Sequence, residues 1–531
     1  MSRVSQSHPP VPPEAARAGR HSSAEPVRAS GASATSGMTR SYAAALLVVA
    51  VVAFTLRLVP LLTSWGLAGL YEYDDAVHFS TGIHLVDGVL PYRDFHFLQP
   101  PGIALLLAPF AWLGRAVGET TAFEVARVAW MLLGAANAVL VCLVTRRYGE
   151  RVSLVCGLLY AVWAISVGAA HTMMIEPVVS ALTLLGLLAL GVAGSRPHPV
   201  WAGLLLGSAV SFKLWAAVGF VVVLALVAAR LRSGAAWRFV AAGAAGAAAL
   251  ALPMLVSPAN AWHDVVVTQA QRPRNSTPLS VKLGWFVTSV DVPTGSALAW
   301  VVTAGAVIAL VLVGLPLLGA LAQRRAPTVW ADSAWWSLWL IALAATLALA
   351  PTFYYHYLEF FAVPACLLVG AVLKDRARWL DRGAGLLAVA GVAALLAWAA
   401  WAPHIATRAV AGPLRQDTPG CIWSDDPNVL IEAGLTHSQL QRGCPAMVDY
   451  SGSLLADGIY ARRTSSATAG RALDDEVRIR AQVLASQVLV LRGAPDRLFD
   501  PTTGALVRSR FVLQQTFDGF QYWIRKGAAA P

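Results

Sequence analysis

Residues 71–102, YEYDDAVHFSTGIHLVDGVLPYRDFHFLQPPG, hold five acidic residues and three histidines. They follow an apolar stretch of about 20 residues, long enough to cross a bilayer. Asp74 and Asp75 stand side by side near its head. Paired carboxylates beside low-dielectric lipid suit one of the two to act as a base. Adjacent residues on a helix point about 100° apart, so both serve one site only if that site wraps the segment. A solvated loop that happens to carry two acids is the competing reading. His78, His84 and His96, with Asp74, Asp75 and Asp94, are residue types that hold a divalent cation, but no tight ligand spacing is present, so the metal is left unassigned. Asp87 and Asp94 flank a turn around Pro91, where aspartate commonly satisfies backbone amides.

Cations recur further along the chain. Arg272 and Arg274, in TQAQRPRNSTP, carry guanidinium forks that match phosphate oxygens, although lipid headgroups attract the same groups. Lys213, in SFKLW, places an ammonium at the end of an apolar helix, a position that is costly unless the charge is paired or reaches water. It is a further phosphate candidate, with snorkelling to the interface as the alternative. His356 sits among Tyr354, Tyr355 and Tyr357, a cluster able to line a sugar pocket or to form an interfacial aromatic belt. Arg57, late in the first apolar run, either neutralises the acidic pair or snorkels.

The elements that must position these groups are membrane helices. The 531 residues are 57% hydrophobic and 13% charged, with mean hydropathy +0.60, values that exclude an ordinary soluble domain. Helices, not a barrel, do the spanning. Spans are expected at 41–63, 122–145, 152–170, 174–193, 199–214, 215–230, 238–256, 296–320, 334–350, 358–373 and 383–402. The run at 101–117 is left out as interfacial or partly dipping. Omitting it puts Arg146, Arg147, Arg151, Arg196, Arg230, Arg232, Arg238, Arg324, Arg325, Lys374, Arg376, Arg378 and Arg382 on the side of the N-terminal tail, which the bias of positive charge makes cytoplasmic, and leaves Arg93, Arg115, Arg272, Arg274 and Lys282 in the opposite loops. The net charge of +11 then orients the protein; no basic run with interleaved aromatics speaks for nucleic acid.

The expected fold is therefore an all-α polytopic membrane protein of about 11 spans plus juxtamembrane helices. Residues 1–40 read as a disordered cytoplasmic tail, 41–402 as the membrane domain with outer loops at 64–121 and 257–295, and 403–531 as a small extracytoplasmic α/β domain. In that last part SQVLVL at 486–491 reads as a buried strand and 511–524 as a hairpin turning at Asp518-Gly519. Cys421 and Cys444 are its only cysteines and pair in an oxidising exterior unless they are two unrelated thiols; Cys142, Cys156 and Cys366 lie in apolar spans.

The order D-D-A-V-H-F, D-G-V-L-P-Y-R-D-F, Q-P-P-G from Asp74 to Gly102 resembles the first outer loop of the C superfamily of polyprenyl-phosphate-sugar-dependent glycosyltransferases, which includes protein O-mannosyltransferases and lipid A aminoarabinose transferases. Weaker likenesses follow in order: Glu176-Pro177 in MMIEPVVSALTLL, Lys213 in SFKLW, and FYYHYLEFFAVPACLL at 353–368. The resemblance implies that Asp74 is the catalytic aspartate and that Asp75 replaces a glutamate. Tyr92, Glu176, Tyr355 and His356 are then expected to contact substrate, and the charge left on the donor phosphate makes Arg272, Arg274 and Lys213 the expected groups to face it. The implied partners are a polyprenyl-phosphate sugar, a lipid, glycan or protein acceptor, and membrane lipids, with a divalent cation as an optional cofactor. A secondary transporter or lipid flippase is the alternative class, but the chain has no internal repeat and its acids crowd one face. A non-catalytic binder of lipid-linked glycan is the third, and it would tolerate loss of Asp74.

Overall fold

The computed structural model describes residues 39–62, 66–192, 196–231, 233–274, 282, 311, 313–374, 408–456 and 472–528. The expected span 383–402 and most of 296–320 lie outside these residues, as do the N-terminal tail up to residue 38 and the outer loop over 275–281 and 283–295.

Ten helices lead from the first expected span through the seventh: α1 Arg40–Leu62, α2 Tyr73–Val86, α3 Gly102–Val117, α4 Glu119–Thr145, α5 Glu150–Val162, α6 Ala164–Ala170, α7 Glu176–Ala189, α8 Pro199–Val210, α9 Ala216–Arg230 and α10 Ser233–Ala251. After the short α11, Pro258–Trp262, come α12, Asp332–Leu349, and α13, Ala362–Leu373. Among the described residues five helices are long and apolar enough to cross a membrane, or six if one bent pair counts as a span. The runs expected to span at 174–193, 199–214 and 215–230 form shorter apolar helices, as does 102–117 with its 16 residues.

The expected span at 152–170 is that bent pair: α5 and α6 meet at 59° around Trp163. A break inside an apolar layer frees carbonyls that lipid cannot satisfy. Arg57 of α1 supplies the donors, giving Nη1 to the carbonyl of Ala161 at 3.3 Å and Nη2 to that of Ser166 at 3.0 Å. It therefore neither snorkels nor neutralises the acidic pair. Glu359 lies close to its field and accepts the hydroxyls of Tyr160, Ser166 and Ser180.

The Q-P-P-G stretch has a visible use. The backbone N–H of Gly102 donates to the carbonyl of Ser211 at 2.9 Å, and a Cβ at Gly102 would stand 2.6 Å from that oxygen. Only glycine lets the start of α3 approach the end of α8, and Lys213 follows two residues after Ser211.

Residues 408–528 build a four-stranded sheet in the order β1-β2-β4-β3, with β1 Ile422–Ser424, β2 Val488–Leu491, β3 Phe511–Phe517 and β4 Phe520–Arg525. β1 and β2 are parallel, and the other two pairings are antiparallel. Alternation along the strands gives the sheet two apolar faces: Ile422, Val488, Val490 and Tyr522 on one, Trp423, Leu489, Leu491 and Phe511 on the other. The hairpin turns at Asp518 (φ 44°) and Gly519 (φ 85°), the positive pair that a two-residue turn needs. Cys421 and Cys444 are joined in a disulfide.

Candidate active site

α2 is the short helix that carries the acids. Its 14 residues start after Glu72, whose extended backbone ends the preceding loop. Asp74 and Asp75 fall in the first turn, where the helix dipole favours negative charge. The next residue around the helix points elsewhere, and the two acids part company there.

Asp75 is wholly buried. Its Oδ2 accepts Arg127 Nε at 2.8 Å and Nη2 at 2.5 Å, and its Oδ1 accepts the backbone N–H of Met173 at 2.8 Å. The same guanidinium donates to the carbonyls of Leu67, at 2.5 Å, and Gly69, at 2.8 Å. Asp75 thus ties α2 to α4 and to the loop before it. Both oxygens are engaged and the side chain is wholly buried, so Asp75 serves to hold α2 rather than to meet an acceptor.

Asp74 is half-buried, and none of the described residues hydrogen-bonds it or pairs with it. Around it, within electrostatic reach, stand Glu72, Lys213, Tyr355, His356 and Asp449. Tyr355 donates its hydroxyl to Glu72 Oε1 at 2.5 Å. Burial pushes the Glu72 carboxyl up to about 7, against the Tyr355 bond that lowers it, and the nearby Asp74 and Asp75 raise it further.

Side chains from distant stretches of the chain meet here. Lys213 Nζ lies 2.9 Å from Glu176 Oε1 and 4.5 Å from the centre of the Tyr357 ring. His356 packs edge to face on Tyr357 at 4.8 Å and parallel to Tyr354 at 5.7 Å. The lysine solves its burial by pairing, so it does not snorkel. Its carboxylate partner keeps Oε2 buried with no hydrogen bond among the described residues.

Arg272 is half-buried, with an unpartnered Nε, and its charge acts on Asp449; Arg274 is exposed. Tyr92 takes a different place. It is buried in a left-handed conformation (φ 67°), donates its hydroxyl to the carbonyl of Gln99 at 2.6 Å and accepts Asn260 at its own carbonyl at 2.9 Å. That hydroxyl is spent on holding the loop, so the expected contact with substrate is corrected to a loop latch. Nor do the histidines of this segment converge. His78 bonds the carbonyl of Met173, His84 that of Ser80, and His96 the carboxylate of Asp264, while Asp94 is held by Arg93 and the Leu90 amide. Among the described residues no three His, Cys, Asp or Glu side chains group as a metal site.

Four participants escape sequence reasoning: Glu72, Arg127, Asp449 and Arg492. Arg127 carried a usable signal, an arginine inside an apolar run, where ionisable residues are expensive. Asp449 and Arg492 carried none, because their relation to α2 exists only in three dimensions.

Helices of this order, with the acid-bearing α2 between the first two long ones and a sheet after the last, define a multi-pass membrane protein of the GT-C fold. The solved structure of ArnT from Cupriavidus metallidurans superposes with TM-score 0.58 at 15% identity, covering 92% of this chain and 99% of that one. The same protein bound to undecaprenyl phosphate gives 0.54 at 14%, with 92% and 98% covered. The archaeal oligosaccharyltransferase AglB from Archaeoglobus fulgidus gives 0.51 at 12%, covering 85% of this chain and 69% of that one. Residues 97–345 match glycosyltransferase family 87, a stretch that contains Glu176, Lys213, Arg272 and Arg274 and begins after Asp74. No curated protein matches in sequence. The chain thus shares the fold of these solved membrane proteins, and its match to a glycosyltransferase family over residues 97–345 supports glycosyltransferase activity.

Proposed function

We propose that the protein transfers one sugar from a polyprenyl-phosphate donor to a cell-envelope acceptor on the outer face of the cell membrane, with its N-terminus cytoplasmic and its C-terminal domain outside. The observation that carries this reading is Asp74, an unpartnered carboxylate at the head of α2 amid a lysine, a histidine, a tyrosine and a second acid. A phosphate is already a good leaving group, so the protein's tasks are to orient the acceptor, receive its proton and meet the developing charge.

In the proposed step the acceptor hydroxyl oxygen bonds to the anomeric carbon while the bond from that carbon to the phosphate oxygen breaks. The hydroxyl proton goes to Asp74, and the electron pair leaves on the polyprenyl phosphate. Arg272 and Arg274 stand on the loop side to take up that charge, and Arg272 keeps one buried donor free for it. Lys213 is paired with Glu176 and adds to this field through the site rather than as a lone cation. His356 and Tyr355 supply the sugar-facing surface. The relatives' structures with undecaprenyl phosphate and dolichol phosphate support a lipid-linked donor.

The test is transfer of radiolabel from a panel of polyprenyl-phosphate sugars to membrane extract by purified protein and by Asp74→Asn. Transfer from one donor that falls by about 10³-fold or more in the folded variant is expected of a lost base. Equal transfer by the variant removes Asp74 from the mechanism.

A further inference from the structure

The C-terminal domain meets α2 at both of its ends, through different elements. At the N-terminal end, Tyr73, the residue before Asp74, donates its hydroxyl to Asp449 Oδ1 at 2.9 Å and accepts the backbone N–H of Ser451 at 3.3 Å. Asp449 is itself oriented by the Gly452 amide at 2.7 Å. The Arg492 guanidinium covers the Tyr73 ring at 4.3 Å and is held in turn by Asp425, which accepts its Nε and its backbone N–H, each at 2.9 Å. Asn428 donates to the Glu72 carbonyl at 3.4 Å.

At the C-terminal end, Asp87 accepts His437 Nδ1 at 2.5 Å on one oxygen and Arg115 at 2.6 Å on the other. The backbone amides of Thr436 and His437 both donate to Glu119, the first residue of α4, the former at 2.9 Å. Two helices of the C-terminal domain's own chain, Asn428–Glu432 and Thr436–Gln441, are thereby pinned beside α2. Leu70 and Arg408 pair backbone to backbone at the point where the domain begins.

We propose that the C-terminal domain is a positioning element of the active site: it clamps α2 at Tyr73 and at Asp87, and so sets the place and angle of Asp74. A helix held at one end can swing; one held at both ends, 14 positions and about 21 Å apart, is fixed in tilt. Because Asp74 makes no bond of its own, its aim depends on the helix that carries it. The inference rests on the reading of Asp74 as the base.

The experiment uses the full-length protein in detergent with three variants, Tyr73→Phe, Asp449→Ala and His437→Leu, and two readouts. The first is hydrogen exchange of peptides from α2, which needs no substrate; each variant is expected to raise it while the α4 peptides stay protected. The second is steady-state transfer with the active donor. Each variant is expected to lower kcat between about tenfold and a hundredfold with donor KM unchanged, since a base displaced by about 1 Å loses rate and not donor affinity. Tyr73→Phe combined with Asp449→Ala should fall no further than either alone, because both remove the bond between these two side chains. His437 lies at the far end of α2 from Asp74, so its effect on kcat separates positioning from contact. Unchanged exchange in α2, or loosened exchange with kcat intact, overturns the proposal. A wild-type protein that transfers from no donor overturns the function instead, and the exchange result still decides the clamp.

Discussion

Asp74 and Asp75 share a peptide bond and opposite fates. One is bare toward a group of site residues, and the other is consumed by Arg127 and the Met173 amide. Glu72, two residues earlier, adds a third carboxyl whose protonation changes near neutrality. As pH rises through about 7, Glu72 loses its proton and a negative charge appears two residues from Asp74, facing an anionic donor. Donor KM should therefore rise between pH 6 and 8, by about tenfold at most, and the rise should vanish in Glu72→Gln; an identical profile in that variant refutes the assignment. The same shift carries a stability sign. A carboxyl raised from 4.5 to about 7 binds its proton more tightly in the folded state, so its contribution is complete below pH 4.5 and is lost as pH climbs to about 7. Glu72→Gln should flatten that decline in thermal unfolding. Asp74 was legible because acids crowd together in the 71–102 stretch; Lys213 was legible as a costly ammonium at a helix end and His356 as part of a tyrosine cluster, while Glu176 was legible only through the resemblance. Tyr92 misled, since a tyrosine in a polar loop looks the same whether its hydroxyl meets a sugar or a carbonyl.

At the scale of elements, buried charges act as fasteners. The Asp75–Arg127 pair, wholly buried on both sides, joins α2, α4 and the loop at Leu67 and Gly69. Asp75→Asn leaves the guanidinium without its counter-charge, which should cost about 3–5 kcal/mol and lower the unfolding temperature clearly. Activity surviving at low temperature would show that Asp75 fastens and does not react. Arg57 fastens the break between α5 and α6, and Arg57→Met should destabilise the membrane part to a similar degree by stranding two carbonyls and Glu359. Apolar runs marked the helices reliably, because burial in lipid demands them. They did not mark the break at Trp163 or the shortness of α7, α8 and α9, since a run of apolar residues is equally compatible with a straight span and with two bent pieces.

Across the whole molecule, the C-terminal domain is closed by one covalent link. The Cys421–Cys444 disulfide spans 23 residues and joins the start of β1 to the end of the helix Thr436–Gln441, the helix that reaches Asp87 and Glu119. Its loss should cost about 3 kcal/mol of the domain's stability, read by thermal unfolding of Cys421→Ser with Cys444→Ser against wild type. If the domain positions α2, the same double variant loses transfer at temperatures where its membrane helices remain folded.

Composition alone made this a helical membrane protein, because a chain of 57% hydrophobic residues has no other place to put them. Local patterns alone placed the acidic segment, the Asp518-Gly519 hairpin and the buried strand β2, because turn chemistry and side-chain alternation act over a few residues. Which acid is free, where Lys213 finds its partner, and that Tyr73 and Asp87 are grasped by a domain more than 300 positions later were decided only by the tertiary structure. Those outcomes depend on contacts between residues far apart in the chain, and no local pattern carries the distance between them.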